Sequence, residues 1–143
     1  MPLALRSFGQ MQVFPGLSSQ NAGPLAFRSA TRLDRVAWHN DVLGAVTLHF
    51  GMGSYLQGPG AAQVSVRMAM ETEDGVRFYL EYLSRGNMAR HMAGEAPILL
   101  AGQIEIDPDS AKYAWLNHVQ VVGRGMLTRD PMCQSYEMAI LAD

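Results

Sequence analysis

A chain of 143 residues is long enough to bury one core without disulfide staples, and no shift in composition divides it, so residues 1–143 read as a single domain. A formal net charge of −2 with only 17% charged residues excludes nucleic acid and an anionic membrane surface as expected partners. Hydrophobic residues at 48%, interleaved with 14 Gly and 7 Pro, describe a turn-rich β protein and exclude a helical bundle.

From the N-terminus, Met1 to Phe14 carries Arg6 and turns polar at Ser7 and Gln10, so it reads as neither a signal peptide nor an anchor. No apolar run reaches the roughly 18 residues of a spanning helix. The lone Cys133 allows no internal disulfide, which fits a reducing compartment and a cytoplasmic protein. With no His two to four residues away, that thiol is expected to be inert.

Leu3 to Phe14 is the first expected strand, stopped by Pro15-Gly16, and Leu17 to Pro24 is loop chemistry between two breakers. Leu25 to Leu33 is a second strand, Trp38 to Asp41 a turn, and Val42 to Phe50 a third strand. In that third strand Val46, Leu48 and Phe50 share one face while Ala45, Thr47 and His49 share the other. Gly51, Gly53, Gly58 and Gly60 then punctuate a short segment holding Ser54 and Tyr55. No helix pattern follows, so the spacing fits bends and bulges of a curved sheet better than a phosphate-binding turn.

Val64 to Tyr79 reads as a hairpin. Val64, Val66, Met68 and Met70 alternate with Ser65, Arg67, Ala69 and Glu71, and Asp74-Gly75 supplies the positive φ that a tight turn needs. Arg67 and Glu71 leave one strand through the same face about 13 Å apart, at about 3.3 Å per residue, too far to pair with each other. Met88 to Ala93 is the one expected helix, with Asn87 as N-cap and Gly94 as stop. Ala96 to Ile106, Tyr113 to Val122 and Cys133 to Leu141 follow as strands, the first two separated by an Asp107 to Ser110 turn. The count points to an all-β fold, a single antiparallel β-barrel of about eight strands with one short helix.

Several residues resemble the domain-of-unknown-function 3237 family. Arg67, Glu71, Thr72, Asp74 and Gly75 match its hairpin pattern, and Tyr113-Ala114-Trp115-Leu116-Asn117, followed by Gly123 and Gly125, matches a second block. Gly94-Glu95 and Ile104-Glu105-Ile106 stand at corresponding places between them. The chain departs where Gly51-Met52-Gly53-Ser54-Tyr55 replaces the family's Gly-Gly-Ala-Asp-Trp and where Leu100-Ala101-Gly102 replaces Phe-Arg-Thr. The resemblance implies a small antiparallel barrel, lipocalin-like or allene-oxide-cyclase-like, and implies no agreed activity.

An eight-stranded barrel can be filled by side chains or can hold one small ligand. On strand phase, the polar residues expected to converge are His49 with Thr47, Arg67 with Glu71, Gln103 with Glu105, and Trp115 with Asn117. The catalytic candidates are Glu71 and Glu105 for proton transfer, with Arg67 and Asn117 to stabilise a developing oxyanion. Trp115, His49, Tyr55, Met68, Gln103 and Tyr113 are candidates for binding substrate. The plain alternative for Arg67 with Glu71 or Glu105 is an architectural ion pair, and for Trp115 an ordinary core position. His39, His49, His91 and His118 share no metal-ligand spacing, so neither a metal nor a cofactor is expected.

The leading reading is a cofactor-independent isomerase, cyclase or lyase acting on a mainly apolar carbonyl-containing metabolite inside the barrel. The alternative is a non-catalytic carrier or sensor using the same cavity, and a third reading is an assembly subunit. Two-sided apolarity in Ala96 to Leu100 and in Val64 to Met70 leads to the expectation of a homodimer or higher homo-oligomer.

Overall fold

The computed structural model describes residues 2–22, 24 and 27–142. Met1, Gly23, Leu25, Ala26 and Asp143 lie outside them, and with them the expected start of the second strand at Leu25. Eight antiparallel strands close on themselves in sequence order: β1 (Leu5–Ala22), β2 (Phe27–Asn40), β3 (Gly44–Gly58), β4 (Ala61–Glu71), β5 (Arg77–Gly86), β6 (Ile98–Ile106), β7 (Gln120–Thr128) and β8 (Cys133–Leu141). β8 pairs back onto β1, which closes the sheet into a barrel. The β4–β5 hairpin turns at Asp74-Gly75 as its sequence requires, with Gly75 at φ +88°. A short helix, α1 (Met88–Met92), interrupts the β5–β6 connection; Asn87 caps it by accepting from the Arg90 N–H, and Gly94 follows its end. No helix among the described residues is long and apolar enough to cross a membrane.

Four segments differ from their expected form, each for a local reason. β1 does not stop at Pro15-Gly16 but continues through the expected loop to Ala22, because register shifts at Phe14, Pro15 and Ser18 accommodate a residue with no N–H to give. β2 likewise runs on through Trp38 to Asn40, and the turn begins three residues later, at Asp41, where Asn40 Oδ1 accepts from the N–H groups of Val42 and Leu43. The glycine-punctuated stretch stays in β3 as far as Gly58, and Gly60 lies in the turn to β4. A register shift between Leu48 and Phe50 makes His49 the extra residue and turns Phe50 outward, contrary to the face it was expected to share with Val46 and Leu48.

The fourth difference is the largest. Tyr113 to Val122 was expected as a strand, yet Ala114–His118 is a 3-10 helix and β7 begins only at Gln120. The buried residues there are Tyr113, Leu116 and Val119, spaced three apart, which is the period of a 3-10 turn and not of a strand.

Apolar residues dominate the inward positions: Val66, Met68 and Met70 on β4, Phe78 and Leu80 on β5, Ile98, Leu100, Ile104 and Ile106 on β6, Met138 and Ile140 on β8. Up-and-down topology gives the barrel two different ends. The end with the β2–β3, β4–β5 and β6–β7 connections is plugged. Leu43, Tyr113 and Leu116 are buried there, Phe8 packs edge-on against Trp38 at 5.0 Å, and the Trp38 indole N–H donates to the Phe8 carbonyl. Polar groups lock the plug: Tyr113 Oη donates to Asp74 Oδ1 at 2.5 Å, Thr72 Oγ1 donates to the same oxygen, and Lys112 Nζ donates to Asp74 Oδ2. The other end carries α1 and the β1–β2, β3–β4 and β7–β8 connections. It is left open.

Candidate functional site

Inside the open end lies a cavity of about 660 Å³, mainly apolar, lined by parts of β1 to β8 and by Met88 and Met92 of α1. Val13, Leu33, Val64, Val66 and Ile98 supply its walls, while Met92 and Met132 sit half-exposed at its mouth. Unbranched thioethers there can adjust to a guest's shape. Polar groups enter at a few points: Ser18, Gln20, Ser29 and Thr31 from β1 and β2, Tyr55 and Gln57 from β3, Tyr82 from β5, and Gln134 and Tyr136 from β8. No Asp, Glu, Lys, Arg or His is among the described lining residues.

The two tyrosines beneath the cavity are held by complementary gaps in the sheet. Gly125 pairs with Tyr136 across β7 and β8, and a Cβ on Gly125 would stand 2.5 Å from the Tyr136 ring, so the ring can lie where it does only because that position carries no side chain. Tyr136 meets Tyr82 edge-on with centroids 5.9 Å apart, and its hydroxyl lies 3.2 Å from the buried Ser84 hydroxyl. Burial pushes the Tyr82 phenol well above its ordinary value, and the neighbouring Tyr136 phenol adds to the shift. Burial raises Tyr136 as well, opposed by its hydrogen bonds to Ser84 and Tyr82. At neutral pH both phenols keep their protons and neither is a base. Tyr55, raised by burial, donates from its hydroxyl to Gln57 Oε1 at 2.8 Å near the mouth.

Most residues singled out in the sequence are elsewhere, and the expected convergence of charged side chains inside the barrel does not occur. The strand phase is the reverse of the expected one: Val66, Met68 and Met70 point inward, so Arg67 and Glu71 point out. Arg67 Nε pairs with Glu81 Oε1 at 3.2 Å on the outer face, with 78% of its side chain exposed. Glu71 Oε2 lies 3.4 Å from His49 Nε2, also outside. Gln103 is exposed opposite Glu81, and Glu105 is exposed opposite Tyr79. His49 and Glu105 do share a shallow outer groove of about 350 Å³ with Phe50, Arg77 and Tyr79. Tyr113 belongs to the plug, and Trp115 lies over it with its indole N–H donating to the Lys112 carbonyl. Asn117 binds the backbone of Ile106 with both ends of its amide. Met68 is buried in the filled part of the barrel, and among these ten residues Tyr55 alone lines the cavity.

Sequence reasoning missed Tyr82, Ser84, Gln134 and Tyr136. Their signal was the parity that Tyr82 and Ser84 share with Phe78 and Leu80, and Gln134 and Tyr136 with Met138 and Ile140.

No protein-family model matches the chain, and no curated protein matches it. Solved structures do. A protein of unknown function from Clostridium acetobutylicum aligns with TM-score 0.80 at 13% identity, covering 98% of this chain and 100% of its own. A β-barrel-like protein from Acinetobacter baumannii aligns at 0.73 with 20% identity, covering 99% and 97%. A protein described as an enzyme, from Penicillium herquei, aligns at 0.70 with 15% identity, covering 96% of each chain. At these identities the likeness defines the class of fold, a small closed antiparallel barrel, and nothing finer.

Proposed function

We propose that the barrel takes up one small, mainly apolar organic molecule at its open end, with an oxygen of the guest facing the Tyr82 and Tyr136 hydroxyls. The observation that carries this reading is the cavity of about 660 Å³, apolar on its walls and provided with buried phenol donors beneath. A concave apolar site with a few convergent polar groups suits such a guest. The resemblance to the domain-of-unknown-function 3237 family stays part of this proposal, as does association into a homodimer.

Two forms of the reading differ in what happens next. In the catalytic form the protein promotes a cofactor-independent isomerisation, cyclisation or elimination, with the phenol donors stabilising oxyanion charge on a substrate carbonyl. The Penicillium herquei barrel described as an enzyme supports this form. In the carrier or sensor form the guest is held unchanged, and the absence of any carboxylate, ammonium, guanidinium or imidazole from the described lining supports that form. Glu71, Glu105 and Arg67 have no part in either, because their side chains are on the outer face.

Native mass spectrometry of freshly purified protein, followed by incubation with candidate carbonyl compounds, tests the proposal. A bound small molecule released on denaturation is the expected result. Turnover selects the catalytic form, and retention without change selects the carrier. A protein that neither co-purifies with nor takes up any apolar compound would overturn both.

A further inference from the structure

Gly51 and Gly53 both face the barrel interior from β3, yet only one of them is explained by packing. A Cβ on Gly51 would stand 2.8 Å from Met68 Cγ and 3.1 Å from the Arg67 carbonyl oxygen, so the space above it is already filled. A Cβ on Gly53 would meet, among the described residues, only methyl carbons of Val66 and Val64, at 3.6 and 3.7 Å, which is ordinary contact. Nor does Gly53 have the positive φ that favours glycine. Glycine inside a strand costs stability relative to alanine, and here neither the backbone nor the neighbours require it. What remains is the space itself, which is cavity. Gly16, the other glycine among the described lining residues, differs, because a Cβ there would run into the Asp34 carboxylate.

The surroundings give this gap a direction. Thr31, Gly53, Val66 and Tyr82 are paired in turn across β2, β3, β4 and β5, and all four line the cavity. Gly53 is thus a bare position between two side chains, two strand spacings from Tyr82, roughly 10 Å along the wall. Tyr55 is the next inward residue of β3 toward the mouth.

We infer that Gly53 sets the size of the guest: one part of the guest lies directly on the β3 backbone at Gly53, between Thr31 and Val66, while another part reaches Tyr82. The inference rests on the cavity reading above and narrows its ligand class. A guest in contact with both places extends beyond a single ring, so the class is a mainly apolar fused-ring molecule or one of similar extent. A side chain at position 53 would take the place of its far end, whereas a smaller molecule could stay beside Tyr82.

The test titrates two fluorescent probes, 2-naphthol and the larger 1-hydroxypyrene, into the whole protein and into Gly53→Leu. Wild type should bind both. Gly53→Leu should hold 2-naphthol within about threefold of wild type, which also shows that the barrel is intact, and should bind 1-hydroxypyrene at least about tenfold more weakly. Undiminished binding of 1-hydroxypyrene by Gly53→Leu, equal weakening of both probes, or a wild type that admits 2-naphthol alone would overturn the role of Gly53 and leave the cavity reading standing. Binding of neither probe by wild type would overturn both. A readout independent of any guest comes from thermal melts. Gly53→Ala should raise Tm by about 1–4 °C, because the new methyl group fits and the unfolded chain loses freedom. Gly51→Ala should lower it, because its Cβ meets Met68. A fall in Tm for Gly53→Ala would show that the fold itself requires glycine there and would contradict the inference.

Discussion

Asn117 holds the backbone of Ile106 with both ends of its amide: Oδ1 accepts from the Ile106 N–H and Nδ2 donates to the Ile106 carbonyl, each at 2.9 Å. The side chain thereby stands in for a strand neighbour at the end of β6, where β7 begins too late to pair. Asn117→Ala should destabilise the protein by about 1–3 kcal/mol, because two backbone groups lose their partners, and should leave guest binding at the other end of the barrel unchanged. Denaturant unfolding beside a binding assay checks this. Loss of binding without loss of stability would return Asn117 to the site.

The plug is tuned to acid. Hydrogen bonds from Tyr113, first, and from Thr72 hold the Asp74 carboxyl well below its ordinary value of 3.8, with Lys112 beside it adding to the shift. A carboxylate depressed in the folded state contributes stability that is complete above the unfolded value and is lost as pH falls through the folded one. The melting temperature of wild type should therefore exceed that of Asp74→Asn by a constant margin from about pH 5 to 7, and the margin should narrow below pH 3.8. A margin that stays flat into strong acid, or that narrows near neutrality, would contradict this network.

Arg67 and Glu81 pair where 78% and 45% of their side chains are exposed. Water screens such a pair, so the coupling between Arg67→Met and Glu81→Gln should be below about 1 kcal/mol, and neither variant should alter guest binding. A coupling of about 3–5 kcal/mol, the range for a buried pair, would mean that Arg67 faces the interior after all.

The closed barrel and its central hairpin were legible because alternation in Val64 to Met70 and the Asp74-Gly75 turn are local signals. The face that turned inward was not read correctly, for a specific reason. Polar residues were expected to converge, whereas the interior of a small barrel is filled first by whichever parity is more apolar, here Val66, Met68 and Met70. The bulge at His49 reverses the facing of Phe50, and it falls ahead of the glycines that suggested bulges, at a position with no such signal. The buried spacing of Tyr113, Leu116 and Val119 was present in the sequence, but strand formers such as Tyr113 and Trp115 masked it. Gly125, read only as part of a family-like block, makes the space for Tyr136.

Outward-facing Leu83, Ala101 and Val122 stand side by side on β5, β6 and β7, with Leu99 exposed nearby. If this face is covered by a second copy, light scattering at micromolar concentration should give twice the monomer mass. Leu83→Glu with Leu99→Glu should then return the monomer with its fold intact, since a charge in an apolar contact is costly. A monomer mass for wild type would remove the dimer.

The location of the site is tested most directly by the five tyrosines, which sample different parts of the molecule. Tyr55, Tyr82 and Tyr136 line the cavity, Tyr79 lines the outer groove and Tyr113 sits in the plug. With isotope-labelled tyrosine, NMR during titration with 2-naphthol should show ring signals of Tyr55, Tyr82 and Tyr136 shifting in step with occupancy, while Tyr79 and Tyr113 stay in place. Shifts confined to Tyr79 would move the site to the outer groove beside His49 and Glu105, and shifts at no tyrosine would contradict a ligand-binding barrel.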